Sequence, residues 1–201
     1  FSWGWTENNN PKIIPIGQLK MKRPKKNSLT SKSSILLVTT ALPRHSYHMY
    51  SAPISSQWLE YLEDQFIFCE CLPKEIRHNL NVRLKRDGEW EQQNRWRARL
   101  PEIKIDSGDK TLETLANECK IFVSTYNAAT YLESFTMNVP TIMFWNPCHW
   151  EIRESAEPFL EILHKAGIFH DSPISAAKHI AKIWDNVDEW WSSCLLYTSD
   201  A

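Results

Sequence analysis

An α/β sandwich of three layers around a parallel sheet is the fold class this sequence predicts, and three observations predict it. Continuously apolar runs at residues 35–40 (ILLVTT), 121–124 (IFVS) and 141–145 (TIMFW) have the character of central strands buried on both faces. Stretches with helical spacing of apolar residues fall between such runs, so strand and helix alternate along the chain with no internal repeat. Polar residues follow the strand ends: Ser124, Thr125 and Asn127 after one run, Asn146, His149 and Glu151 after another. In a parallel sheet, ligands bind in the crevice beyond the carboxyl ends of the strands, so these residues are the first candidates for a site.

Taken in order, residues 1–34 carry breakers every few positions and a basic run (Lys20, Lys22, Arg23, Lys25, Lys26), and read as a linker or crossing segment from an upstream part. The domain is expected over 35–192. The loop of 41–53 leaves the first strand with Arg44, His45, Tyr47, His48 and Tyr50, all aimed by topology at the same crevice. Ser55 or Ser56 is placed to cap a helix bearing Trp58, Leu59, Leu62, Phe66 and Cys69 inward. A second strand is expected over 80–85 with Arg83 and Lys85 on one side, a helix over 89–100 stopped by Pro101, and a short strand over 103–105. Residues 106–109 (DSGD) form a turn expected to cap the next helix, with Leu112, Leu115 and Cys119 inward. The strand at 121–124 leads to a helix over about 127–137. After the strand at 141–145, a helix over 151–165 with Ile152, Ala156, Phe159, Leu160 and Leu163 inward is stopped by Gly167. A minimal strand at 168–169 and a helix opened by Ser172-Pro173 complete the domain. Residues 194–201 resemble the translation of a transposon-type sequencing adapter and are set aside as a non-native tail.

With 201 residues, 42% apolar and 23% charged, the chain can bury a sizeable core, and its formal charge of −1 gives no global case for binding nucleic acid. Five cysteines in a chain of this length do not make a disulfide framework, so a reducing compartment, the cytoplasm, is expected. Ten tryptophans are expected in packing roles rather than as stacking platforms. The basic run near the amino end could meet acidic lipid or a phosphorylated lipid carrier at the inner face of the cytoplasmic membrane.

The chemistry follows from the residue types. A helix amino end after a strand suits an anion, and Ser124, Thr125 and Asn127 add donors for phosphate oxygens, although Thr125 or Asn127 can equally serve as a plain helix cap. Arg83 and Lys85 at a strand end could hold a diphosphate. In the loop of 145–154, Asn146 and His149 offer polar contacts, Glu151 at a helix first turn would accept from sugar hydroxyls, and Arg153 would hold phosphate or pair with a carboxylate. No G-x-G-x-x-G, Walker loop or G-x-S-x-G occurs, which argues against a standard dinucleotide dehydrogenase, a P-loop NTPase and an α/β-hydrolase. No H-E-x-x-H or paired C-x-x-C calls for a metal, and no cofactor is expected.

The segments VTTALPRHSYHMYSAPISSQWLEYLE, CKIFVSTYNAATYLES and PTIMFWNPCHWEIRESAEPF, with FSWGW and IPIGQL upstream, resemble a bacterial family of transferases found in surface-carbohydrate and O-antigen (lipopolysaccharide) loci. The layout is also similar to the carboxyl-terminal, Rossmann-like half of a GT-B glycosyltransferase, although the glycines usual in its phosphate loops are missing. These resemblances imply a nucleotide-sugar donor as substrate and a glycan or lipid-linked glycan as acceptor. They imply Ser124, Thr125 and Asn127 at the donor phosphates, Arg83 or Lys85 at the diphosphate and Glu151 at a hydroxyl. The acceptor's base would come from the loop with Arg44, His45 and His48 or from an upstream half. Two other readings stay open: an enzyme of the same architecture that remodels the sugar itself, such as an epimerase, and a noncatalytic glycan- or partner-binding module on a degenerate transferase half.

Overall fold

The computed structural model describes residues 12–14, 33–41, 43, 53–54, 56–85 and 90–194. Most of the expected crossing segment, the Arg44, His45 and His48 cluster, and the tail from residue 195 lie outside them. Six strands, β1 (Ile35–Val38), β2 (Leu80–Arg83), β3 (Lys104–Ile105), β4 (Ile121–Ser124), β5 (Thr141–Phe144) and β6 (Phe169–His170), form one sheet in the order β3-β2-β1-β4-β5-β6. Every pairing is parallel, from Ile35 opposite Leu80 and Ile121 to Phe144 opposite His170. The connections therefore run one way from β1 and the opposite way from β4, and the seam between these two strands is the sheet's switch point.

Alternation along the strands divides the core. Ile35, Leu37, Leu80, Val82, Ile121, Val123 and Ile142 face α1 (Gln57–Cys71), α3 (Gln92–Arg99) and α7 (Pro173–Ile183), which contribute Trp58, Phe66, Phe68, Trp96, Ala177 and Ile180. Leu36, Val38 and Phe122 face the other way, onto Leu115 and Ala116 of α4 (Leu112–Glu118). On that same side the Ser134 hydroxyl of α5 (Ala129–Thr136) lies 2.8 Å from that of Thr141. β2 and β3 at the far edge carry polar residues on this face, Asn81, Arg83 and Lys104, where strand burial alternates instead of being complete. A short α2 (Lys74–Arg77) leads into β2, and α6 (Glu157–Lys165) and α8 (Val187–Ser193) close the β6 side.

Several expected boundaries shift for identifiable reasons. The third helix begins at Gln92 rather than Glu89, because Glu91 takes a left-handed backbone (φ 50°) that turns Trp90 inward to stack on Trp58 at 4.4 Å. α4 is capped by the Thr111 hydroxyl, which accepts from Thr114 N–H at 3.2 Å, and not by the 106–109 turn. Ser56 precedes α1 without a side-chain cap; the Gln57 side chain instead accepts from Ile54 N–H. Phe159, expected inward, is 68% exposed, and Leu59 also faces outward. Gly167 ends α6 at φ 72°, and a Cβ there would lie 2.6 Å from the His179 ring, so a residue without a side chain is needed twice over. Cys194 packs in the core with its thiol pushed up to about 11 by burial.

Candidate functional site

The switch point is pinned by a closed chain of hydrogen bonds. Thr125 donates both its N–H, at 3.3 Å, and its hydroxyl, at 2.9 Å, to the Val38 carbonyl, tying the end of β4 to β1. The Tyr61 hydroxyl of α1 accepts from Thr40 N–H at 2.9 Å and lies 2.7 Å from Thr125 Oγ1. Since the Thr125 proton is committed to Val38, the phenol must donate to Thr125. Burial among these groups pushes the Tyr61 hydroxyl far above its ordinary range, so it stays protonated.

Beside this seam, over the carboxyl ends of β1, β2 and β3, opens a cleft of about 1060 Å³. Its cations are Arg83, Lys85 and Arg97, its other walls include Thr39, Asp106, Gly108 and Tyr126, and the first turn of α3 contributes Gln92, Gln93 and Asn94. Among the described residues three cations and the first turn of α3 face this space together with the carboxylates of Asp106 and Glu91, a lining with a net positive charge that suits an anion. The Asp106 carboxylate accepts from both the Arg83 guanidinium and the Gly108 N–H, the latter at 3.1 Å. Arg83 is therefore held in a fixed direction by an internal anion. Gly108 closes this turn at φ 89°.

On the other side of the seam the ends of β4 and β5 carry an aromatic cluster. Trp150 packs against Tyr61 at 6.3 Å, Tyr126 at 6.5 Å and Trp145 at 6.4 Å, and Tyr131 lies 6.1 Å from Trp145. Among the described residues the buried indole N–H groups of Trp145 and Trp150 have no acceptor. The loop after β5 is a 3-10 turn, Pro147–His149, started by Asn146, whose side chain accepts from Cys148 N–H at 3.0 Å. It buries the His149 imidazole with Nε2 3.0 Å from Glu60 Oε2. Asp64, one turn further along α1, has its carboxyl pushed up by burial, an effect that the nearby His149 opposes.

The sequence-derived candidates among the described residues do not converge on one place. Arg83 and Lys85 share the cleft. Asn146 and His149 share the second loop. Ser124 and Thr125 are fully buried, with the Ser124 hydroxyl donating to the Tyr126 carbonyl at 3.2 Å, and their hydroxyls serve the protein itself. Asn127 precedes α5 without capping it and accepts from the Tyr131 hydroxyl at 3.2 Å. Glu151 does not occupy a helix first turn: it is exposed between two 3-10 turns, and α6 begins only at Glu157 with Pro158 fixing its first turn. Arg153, also exposed, precedes the second of those turns.

Sequence reasoning missed Arg97, the first turn of α3, Asp106 and Glu60. The helical stripe Gln93, Asn94, Arg97, polar at i, i+1 and i+4, was a legible sign of a wet face. Nothing local marks Glu60, whose partner is 89 residues away. Among the described residues no three His, Cys, Asp or Glu side chains converge to hold a metal ion, and no helix is long and apolar enough to cross a membrane.

A doubly wound Rossmann-like domain with a cationic cleft at its carboxyl edge is the class that fold and site define. The chain belongs to the LIC12162 family of transferases, whose family model matches residues 1–195. A search of curated proteins finds no match.

Proposed function

We propose that this transferase moves a sugar, or a related phosphate-linked group, from a nucleotide-activated donor to a bacterial surface glycan, with the donor diphosphate in the cleft of Arg83, Lys85 and Arg97. The observation that carries the reading is the convergence of those three cations and the first turn of α3 on one cleft of about 1060 Å³, a volume that suits a nucleotide-sized ligand. When the donor carbon is attacked, its bond to the diphosphate oxygen breaks and the electron pair leaves with the diphosphate. Guanidinium, ammonium and helix dipole stabilise that growing charge, which is how a transferase acts without covalent chemistry of its own. Asp106 and Glu91 at the same cleft offer carboxylate acceptors for sugar or ribose hydroxyls. The acceptor, a growing or lipid-linked glycan at the inner membrane face, rests on the sequence resemblance to surface-carbohydrate transferases.

The test is a panel of UDP-, GDP- and CDP-sugars screened by thermal shift, followed by calorimetry on the best binder. Arg83→Ala combined with Arg97→Ala is expected to weaken that binding at least tenfold, about 1.4 kcal/mol or more. Unchanged affinity in the double variant would remove the cleft from the mechanism.

A further inference from the structure

We propose that a second cavity, on the α4 face of β2 and β3, binds sugar units of the acceptor glycan; the proposal rests on the transfer reading above. The cavity holds about 490 Å³, within the range of small-ligand sites, about 300–1,000 Å³. Strand register builds it. Phe122, Leu36, Asn81 and Lys104 stand side by side on one face, across β4, β1, β2 and β3. α4 packs Leu115 and Ala116 over the first two, and the cavity opens over the last two. Ile105, Asp106 and Ser107 line this cavity and the cationic cleft alike, so the two spaces meet at the turn after β3. A donor held at Arg83 and an acceptor lying along Asn81 and Lys104 come together there.

The lining selects the class of ligand. Lys110 Nζ lies 2.6 Å from Glu118 Oε2, and Asp106 is held by Arg83 and Gly108, so these three charges are matched within the protein. Lys104 and Asp109 remain, one of each sign, and the Asp109 carboxylate accepts from the Ser107 hydroxyl at 2.5 Å. The cavity therefore lacks the cationic excess of the neighbouring cleft and does not suit a diphosphate. Asn81 adds a polar group that the protein leaves unused: its Oδ1 is buried without a partner among the described residues. A half turn of the amide exchanges oxygen and nitrogen, so Asn81 can offer the cavity either an acceptor or a donor. Buried polar groups are nearly always hydrogen-bonded, and an unmatched amide beside a cavity points to a polar ligand. Leu36 and Leu115 supply an apolar wall. Balanced charge, mixed donors and acceptors and an apolar wall fit a sugar, whose hydroxyls ring its edge and whose C–H groups form its faces.

The full chain, labelled with nitrogen-15, is titrated by NMR with the methyl glycosides of glucose, galactose, mannose, rhamnose and N-acetylglucosamine, and separately with the nucleotide sugar that binds best. At least one glycoside is expected to move the Asn81 side-chain amide and the Lys104 backbone signal. Lys104 is exposed on the edge strand β3, so Lys104→Ala leaves the fold in place. That variant is expected to weaken the glycoside about tenfold, the loss of one charge-assisted hydrogen bond, with nucleotide-sugar affinity held within about twofold. Asn81→Leu, which removes an unmatched carbonyl, is expected to weaken the glycoside as well without lowering the urea midpoint. A wild type that binds the nucleotide sugar while no glycoside moves these signals overturns the assignment and leaves the transfer reading standing. Movement of the Asn81 amide by the nucleotide sugar alone also overturns it, since the cavity is then part of the donor site. A wild type that binds glycoside but no nucleotide sugar ends the transfer reading, and the acceptor role with it.

Discussion

The Thr125 hydroxyl, a phosphate-donor candidate from its place after a strand, is spent with that of Tyr61 on holding two strands together. The phenol satisfies the Thr40 N–H and supplies the proton that Thr125 needs after giving its own to Val38. Tyr61→Phe therefore strands a buried N–H at the switch point, and the expected loss is about 1–3 kcal/mol by urea unfolding. Thr125→Val should cost a similar amount, and the double variant less than the sum, because both substitutions cut one chain. Additive losses would show that the two hydroxyls act independently.

At the scale of elements, the turn between β3 and α4 decides what the cleft offers an anion. Asp106, fixed by Gly108 N–H, both aims Arg83 and occupies it. An incoming diphosphate must share or displace that carboxylate. Asp106→Asn keeps an acceptor for Gly108 while removing the competing charge, so it is expected to tighten binding of UDP or pyrophosphate roughly 3–10-fold, a gain typical of one partly exposed charge pair. Weaker binding would mean that Asp106 acts mainly by orienting Arg83. The amino end of α3 belongs to the same scale: the left-handed Glu91 precedes a helix that starts at Gln92, which places Gln92 to Asn94 at the cleft.

For the whole molecule, acid is the expected weakness. His170, buried at the end of β6 with His179 and His164 nearby, is held down to about 4 by burial, although its Nε2 lies 3.0 Å from the Gly167 carbonyl. Its ordinary value is near 6.5. Between those values the unfolded chain binds the proton and the folded one does not, so stability rises with pH across this window. It is complete above about 6.5 and is lost as pH falls toward 4, by on the order of 3 kcal/mol from this group. Burial also lowers His179, which adds in the same direction. Unfolding midpoints in urea between pH 4 and 7 should show the slope, and His170→Gln should flatten it; an unchanged slope in the variant would assign the acid sensitivity elsewhere.

The parallel sheet was legible in the sequence because strands buried on both faces must be continuously apolar, as in Ile35 to Val38 and Ile121 to Val123, and because such strands require intervening helices. Arg83 and Lys85 were legible because strand ends in such a sheet open on one edge. Helix starts were less so, since Glu91 and the 147–156 stretch depend on where Trp90 and His149 find room to pack. What only the tertiary structure decided is which polar groups remain for a ligand. Thr125 looks available along the chain and is consumed across the β1–β4 seam, while Ser124 is buried and gives its hydroxyl to the Tyr126 carbonyl. Arg97 is brought to the cleft by a helix that starts at its rim. Long-range hydrogen bonding and packing choose between these fates, and both depend on partners far apart in the chain.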